Sequence, residues 1–118
     1  MKLSAHQQIF TLNVSMLICF AFENGLRLTF GEAYRTTEQQ LLYVQSGKSQ
    51  TMNSNHLRRL AVDFNVFKDG NLTYKWADLK PLGDYWETLH ENNRWGGDWN
   101  KNDLKDGFID TPHFEMNI

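Results

Sequence analysis

The sequence predicts an α+β fold in which three helices pack on one face of a small, largely antiparallel sheet. Three observations lead there. Apolar stretches beginning near residues 5 and 36 each open on a helix-start pattern and close on a glycine. Residues 26–30, 60–66 and 113–118 alternate apolar and polar side chains with period two, the mark of a strand with one dry face. At 118 residues the chain is one domain's worth, enough for a single core without staples.

In chain order, Ser4 with Gln7 three residues on reads as a capping box, which predicts a helix from about Ala5 to Phe22, stopped by Gly25. In "LRLTF" (26–30), Leu26, Leu28 and Phe30 share the inward face of a strand. Thr36 with Gln39 forms a second capping box, and Gly47 closes that helix. The polar segment 47–55 is a loop. In residues 60–66, Leu60, Val62, Phe64 and Val66 make an apolar row, and Ala61, Asp63 and Asn65 a second row. "KDGN" (68–71) is a turn, followed by a short strand in "LTYKW" (72–76). A third helix runs through "PLGDYWETLHENN" (81–93), with Pro81 in its first turn. A long loop occupies about 96–112, and the final strand puts Phe114, Met116 and Ile118 on one face, His113, Glu115 and Asn117 on the other.

Composition narrows the function. Hydrophobic residues at 41% and charged residues at 22% exclude a disordered chain. A net charge of −2 argues against nucleic acid as a partner. The single cysteine, Cys19, excludes an internal disulfide and any zinc site built on several cysteines; it is expected to be buried. The apolar run 9–22 is broken by Thr11, Asn13 and Ser15, is short for a bilayer, and lacks a basic leader with a cleavage site. It is read as a core helix, so neither an export signal nor stable membrane insertion is expected.

Chemistry gathers on the polar rows of two strands. If the strands at 60–66 and 113–118 are neighbours, Asp63 and His113 reach one point above the sheet, and His56 folds over from the preceding turn. Two histidines and a carboxylate are a three-ligand set of the kind that holds catalytic zinc with one position open. Such a site needs a base that is not a ligand, and Asp110 stands three residues before His113 in "DTPHFE", with Pro112 holding the chain extended. The plainer readings are a solvated or arginine-paired Asp63, histidines without a metal, and Asp110 as a turn former.

"SNHLRRLAVDFNVF", "WGGDW" and "DTPHFEM" together resemble the zinc peptidases of the D-Ala-D-Ala carboxypeptidase/VanY type, the M15 family. They are more similar still to the phage L-alanyl-D-glutamate endopeptidases. The resemblance runs over nearly the whole chain. It implies the hedgehog/DD-peptidase fold, zinc held by His56, Asp63 and His113, and Asp110 as catalytic base. "TFGEAYRT" resembles the family's arginine-bearing segment, which implies that Arg35 stabilises the oxyanion near the scissile carbonyl. Ser54 would orient the substrate or the site. The implied activity is hydrolysis of an amide in peptidoglycan stem peptides, between L-Ala and D-Glu, in host lysis by a phage. The alternatives are a D-Ala-D-Ala carboxypeptidase on the same scaffold and a non-catalytic zinc-binding wall module. The further expectations are one catalytic domain over 1–118 without a wall-binding domain, a monomer, and a protein made in the host cytoplasm that reaches the wall once the membrane is permeable. The chain departs from the common family pattern at Arg59, where glycine is usual; arginine there implies an ordinary backbone or some strain.

Other signals are weaker. Asp98, Asn100 and Asn102 fit positions 1, 3 and 5 of a calcium loop, but Asp103 and Ile109 stand where glycine and glutamate are needed. A solvated acidic loop is the favoured reading and a regulatory Ca2+ site the alternative. Trp95 and Trp99 are core residues or line a substrate groove. Arg58 and Arg59 are surface charge or contacts for stem-peptide carboxylates.

Overall fold

A computed structural model describes residues 1–118. In order, the elements are α1 (Leu3–Glu23), β1 (Leu26–Phe30), α2 (Thr37–Gln45), a 3-10 turn (Asn55–Arg58), β2 (Ala61–Lys68), β3 (Asn71–Thr73), α3 (Trp76–Thr88), β4 (Asn93–Trp95) and β5 (His113–Met116). The class is α+β, with every strand pairing antiparallel.

β2 organises the sheet. The strand order is β1-β2-β5-β4, and β3 also pairs with β2. β1 runs along one edge of β2, from Leu26 opposite Lys68 to Phe30 opposite Phe64. The other edge is divided: β3 takes Val66 to Lys68, and β5 takes Ala61 to Asp63. The turn between β2 and β3 is the expected one, because Asp69 and Gly70 both adopt positive φ, at 52° and 79°. Two such residues make the turn whose twist matches a hairpin.

The apolar row of β2 does what its period predicts. Leu60, Val62, Phe64 and Val66 are all buried, against Phe10, Leu17 and Ala21 of α1 and Leu79, Leu82 and Trp86 of α3. Trp95, Phe114 and Met116 complete the core from β4 and β5. Trp86 packs edge-on against Phe10 and Phe114, and its indole N–H donates to the Glu115 carbonyl at 2.9 Å. Each such side chain contributes roughly 1.5–3 kcal/mol on burial.

Several sequence-based expectations give way. The capping box at Ser4 does not form: α1 starts two residues earlier than expected, with Lys2 as its cap residue and no side-chain cap. The Gln7 amide is instead drawn to the Arg58 carbonyl, at 2.7 Å, an acceptor left open at the end of the 3-10 turn. Cys19 is exposed, because α1 buries only the stripe Phe10, Asn13, Leu17 and Ala21. By length and composition alone α1, at 21 residues, is long and apolar enough to cross a membrane, a test that the core helix expected here passes equally. α3 begins at Trp76, with Pro81 inside it rather than in its first turn. The Thr73 hydroxyl accepts from the Lys75 N–H and donates to Asp78, which fixes the earlier start, and the Trp76 indole is secured on the Gly97 carbonyl. α3 ends at Thr88, short of the expected Asn93, and β4 at Asn93–Trp95 is a strand that the sequence does not predict. The inward row of β1 is fully buried only at Leu26; Leu28 is half-buried against the core, and Phe30 is exposed, as is Ile118 beyond β5. The cap at Thr36 does form, accepting from the Gln39 N–H at 3.1 Å. Yet α2 adds nothing to the apolar core, and its one buried residue is Gln40.

Candidate active site

The register of β2 against β5 sets Asp63 directly opposite His113. Asp63 is gripped from its other side, where its N–H donates to the Glu32 carbonyl and its carbonyl accepts from the Gly31 N–H, both at 2.8 Å. Its carboxylate is therefore carried by backbone paired on both edges.

His56 arrives on the 3-10 turn. Ser54 caps that turn, its hydroxyl accepting from the His56 N–H at 3.2 Å, and Arg59 ends it in the left-handed region at φ 56°. The strain implied by arginine in place of glycine is thus present, and the Arg59 guanidinium lies over the Tyr34 ring, 4.1 Å from its centre. The Ala33 carbonyl can only accept, so His56 Nδ1, 2.9 Å away, carries a proton. Nε2 is left facing Asp63 Oδ2 at 3.3 Å.

His113 is oriented the opposite way round. Its Nε2 lies 2.8 Å from Glu115 Oε1 and donates to it; its Nδ1 faces Asp63 Oδ1 at 3.1 Å. One atom from each of His56, Asp63 and His113 lies within 4.8 Å of the others. Zinc bonds of about 2.0–2.1 Å at tetrahedral angles put ligand atoms roughly 3.3 Å apart. The two nitrogen–oxygen separations, each to a different oxygen of Asp63, are close to that spacing, and each histidine has its remote nitrogen engaged and its near nitrogen facing the shared carboxylate. The donor set fits zinc, softer than an all-oxygen site for calcium or magnesium.

The electrostatics of the cluster are those of a cation site. Burial works against the charge on Asp63, but hydrogen bonds from His113 and His56 outweigh it and hold the carboxyl well below its usual range. Burial likewise opposes the charged form of His113, yet Asp63 and Glu115 raise it to about 9. Glu115 is kept ionised below its ordinary value, despite burial, by His113 and Arg94. Asp110 moves the other way: burial raises its carboxyl and the Asp63 charge adds to this, while His113, His56 and Arg35 pull it back. Two carboxylates with pKa values driven apart suit a ligand and a proton carrier.

Asp110 lines an open cleft of about 460 Å³ beside Asp63, with Asn65, Tyr74, Ile109, Thr111 and Pro112. Its placement depends on Gly96. The Asp110 N–H donates to the Gly96 carbonyl at 2.7 Å, and a Cβ on Gly96 would meet the Asp110 carbonyl oxygen at 2.1 Å. Arg35 sits on the other flank, its N–H on the His56 carbonyl. Its guanidinium is held by Glu32, by Gln40 Oε1 at 2.7 Å and by Ser54 Oγ at 3.4 Å, over the Tyr43 ring. His56, Asp63, His113, Asp110, Arg35 and Ser54 all lie in this region.

Sequence reasoning missed several others. Glu115 and Arg94 buttress His113; Arg94 donates from Nε at 3.0 Å and from Nη2 at 2.7 Å to Glu115 Oε2. Glu32, Tyr43 and Gln40 hold Arg35. The signal available for Glu115 was its place on the same strand row as His113. Trp95 is core, its indole on the Thr111 carbonyl, whereas Trp99 lies against His113 with ring centres 5.2 Å apart. Asp98 is buried, and its two oxygens accept from the N–H groups of Asn102 and Asp103.

The family described as phage L-alanyl-D-glutamate peptidase matches residues 11–117. The L-alanyl-D-glutamate peptidase of Listeria phage A118 is 35% identical over 113 residues, covering 86% of this chain and 34% of that protein. The chain thus spans about a third of that relative's length. Among solved structures, the Serratia marcescens L-Ala D-Glu endopeptidase ChiX superposes with a TM-score of 0.63 at 27% identity, over 86% of this chain and 75% of that one. A mutant of the vancomycin resistance D,D-pentapeptidase VanY, from the VanB-type cassette and in complex with Zn(II), has a TM-score of 0.60 at 19% identity, over 91% and 70%.

Proposed function

The chain belongs to the phage L-alanyl-D-glutamate peptidase family, and on that premise we propose that it is a zinc-dependent peptidase cutting the L-Ala–D-Glu amide of bacterial peptidoglycan. The observation that carries the reading is the convergence of His56 Nε2, Asp63 and His113 Nδ1 beside a cleft lined by Asp110. A zinc ion bound there would supply a Lewis acid for the scissile carbonyl and would acidify the attacking water.

The chain's own residues do the rest. The cleft beside Asp63 receives the peptide. Asp110, raised by burial, takes a proton from the attacking water and returns it to the departing amine. Arg35 offers a fixed positive charge to the oxygen on which negative charge develops, and its clamps on Glu32, Gln40 and Ser54 hold it in place beforehand. Ser54 orients His56 as well as Arg35. The biological role is host lysis, by a monomer made in the bacterial cytoplasm and acting on the wall after the membrane becomes permeable.

Mass spectrometry of muropeptides tests this. Digestion by the zinc-loaded chain is expected to give stem peptides that begin with D-Glu, and chelation abolishes them. Release of terminal D-Ala alone would assign a carboxypeptidase instead. Peptidoglycan bound without any new amine would leave a binding module.

A further inference from the structure

The metal-site reading leaves unexplained a buried ion pair behind it. Glu115 and His113 are both nearly inaccessible, and Glu115 touches no part of the substrate cleft. Its two oxygens are divided. Oε2 receives both hydrogen bonds from Arg94; Oε1 faces His113 Nε2 alone. Arg94 is fixed in turn by β4, where it lies opposite Glu115 in register, and by the Trp99 ring, 5.0 Å from its guanidinium carbon. Trp99 closes the arrangement by packing on His113 itself.

Burying the Glu115 carboxylate is costly even with the half-exposed Arg94 paired to it, and an apolar side chain would serve packing as well. What an apolar side chain would not supply is an acceptor for one particular nitrogen of one histidine. An imidazole can present either nitrogen to a metal, and the choice is made by what the other nitrogen binds. Here β5 delivers the ring and Glu115 fixes its remaining freedom.

We propose that Glu115, anchored by Arg94, is the positioning residue that keeps the proton on His113 Nε2 and so presents Nδ1 to the metal. The inference rests on the reading of His113 as a ligand. Because Arg94 claims Oε2, Oε1 is always the oxygen that meets the histidine. The neutral amide of glutamine would break this division. Arg94 would take its single oxygen, the NH2 would face Nε2, and the ring would be driven to carry its proton on Nδ1, where the metal belongs.

Zinc dissociation constants by chelator competition on the full chain, with absorption spectra of the cobalt(II)-substituted protein, test the assignment. Glu115→Gln is expected to weaken zinc by about 10–100-fold and to alter the cobalt spectrum, with unchanged far-UV circular dichroism. Adding Arg94→Met to Glu115→Gln frees the amide to turn its oxygen to Nε2, and part of the affinity returns; a purely structural pair would show no recovery. Should Glu115→Gln not fold, Glu115→Asp keeps the charge for Arg94 but draws the oxygen away from Nε2, and the same loss is expected. Wild-type affinity and spectrum in a folded Glu115 variant overturn the proposal, as does a double variant that binds no better than the single one. His113→Ala separates the two levels. If it retains wild-type affinity, the ligand assignment fails; if it loses zinc while the Glu115 variants keep it, only the role of Glu115 fails.

Discussion

Asp110 and Asp63 sit beside one another with opposite electrostatic biases, and that difference suits them to the two roles proposed for them. Asp63 is held ionised by two histidines, as a ligand should be; Asp110 is raised by burial, as a proton carrier should be. Asp110→Asn is therefore expected to reduce kcat/KM by about 10²–10⁴-fold, the usual worth of a general base, while zinc affinity stays at the wild-type level. Peptidoglycan turnover assays paired with zinc titration check it; loss of zinc together with activity would make Asp110 a ligand. Residue spacing made this pair legible, because seven residues from a turn histidine to a strand carboxylate, and three from Asp110 to His113, are local patterns. The hydrogen bonds that orient the histidines were not legible. Arg94 reaches the site through the register of β4 on β5, and the Ala33 carbonyl from the irregular segment after β1, neither of which a local pattern reveals.

At the scale of elements, periodicity succeeded where burial is one-sided and failed where a side chain finds a distant partner. β2 followed its alternation into the core; β5 did so at Phe114 and Met116, but its other face, His113 and Glu115, is buried as well. Gln7 and Pro81 misled, because the Arg58 carbonyl and the Thr73–Asp78 contact reset the helix starts. α2 is the element most weakly bound to the rest. It has no core residue and depends on its Thr36 cap and on Gln40, whose amide donates to Ser49 and Thr51 while its oxygen accepts from Arg35. Its amide hydrogens are expected to exchange much faster than those of β2 and α3, and Thr36→Ala, costing about 1 kcal/mol, should accelerate them further. Hydrogen exchange read by mass spectrometry gives the answer; equal protection of α2 and β2 would refute it. The connection from β4 to β5 is the opposite case, one without slack. Gly96→Ala places a methyl 2.1 Å from the Asp110 carbonyl and 3.0 Å from His113 Cβ, so zinc affinity and thermal stability should both fall. A variant with unchanged Tm and zinc affinity would show that the loop yields freely.

For the whole molecule, the proposed metal site and the stability of the fold are linked through His113. Its folded value of about 9 lies above the ordinary 6.5, held there against burial by Asp63 and Glu115. A group raised on folding stabilises the native state fully below its unfolded value and loses that contribution as pH rises through its folded value. At 1.36 kcal/mol per unit the loss between pH 6.5 and 9 is on the order of 3 kcal/mol. Asp63 and Glu115, both depressed on folding, act at the other end; their contributions are present above the ordinary carboxyl range and disappear on acidification. The metal-free protein should therefore be most stable between about pH 5 and 6.5, and its Tm should fall steadily toward pH 9.5. Zinc reverses the upper limb. A metal on Nδ1 takes the place of the proton there, so binding releases protons and tightens as pH rises. A site filled at 1,000 times its dissociation constant adds about 4.1 kcal/mol. The Tm of the zinc-loaded chain should accordingly hold or rise from pH 7 to 9, over the interval in which the metal-free chain declines. Parallel melting curves across that range decide it. Parallel declines with and without zinc would mean that the ion does not occupy the position of the His113 proton, and the assignment of Nδ1 as ligand would fall with it.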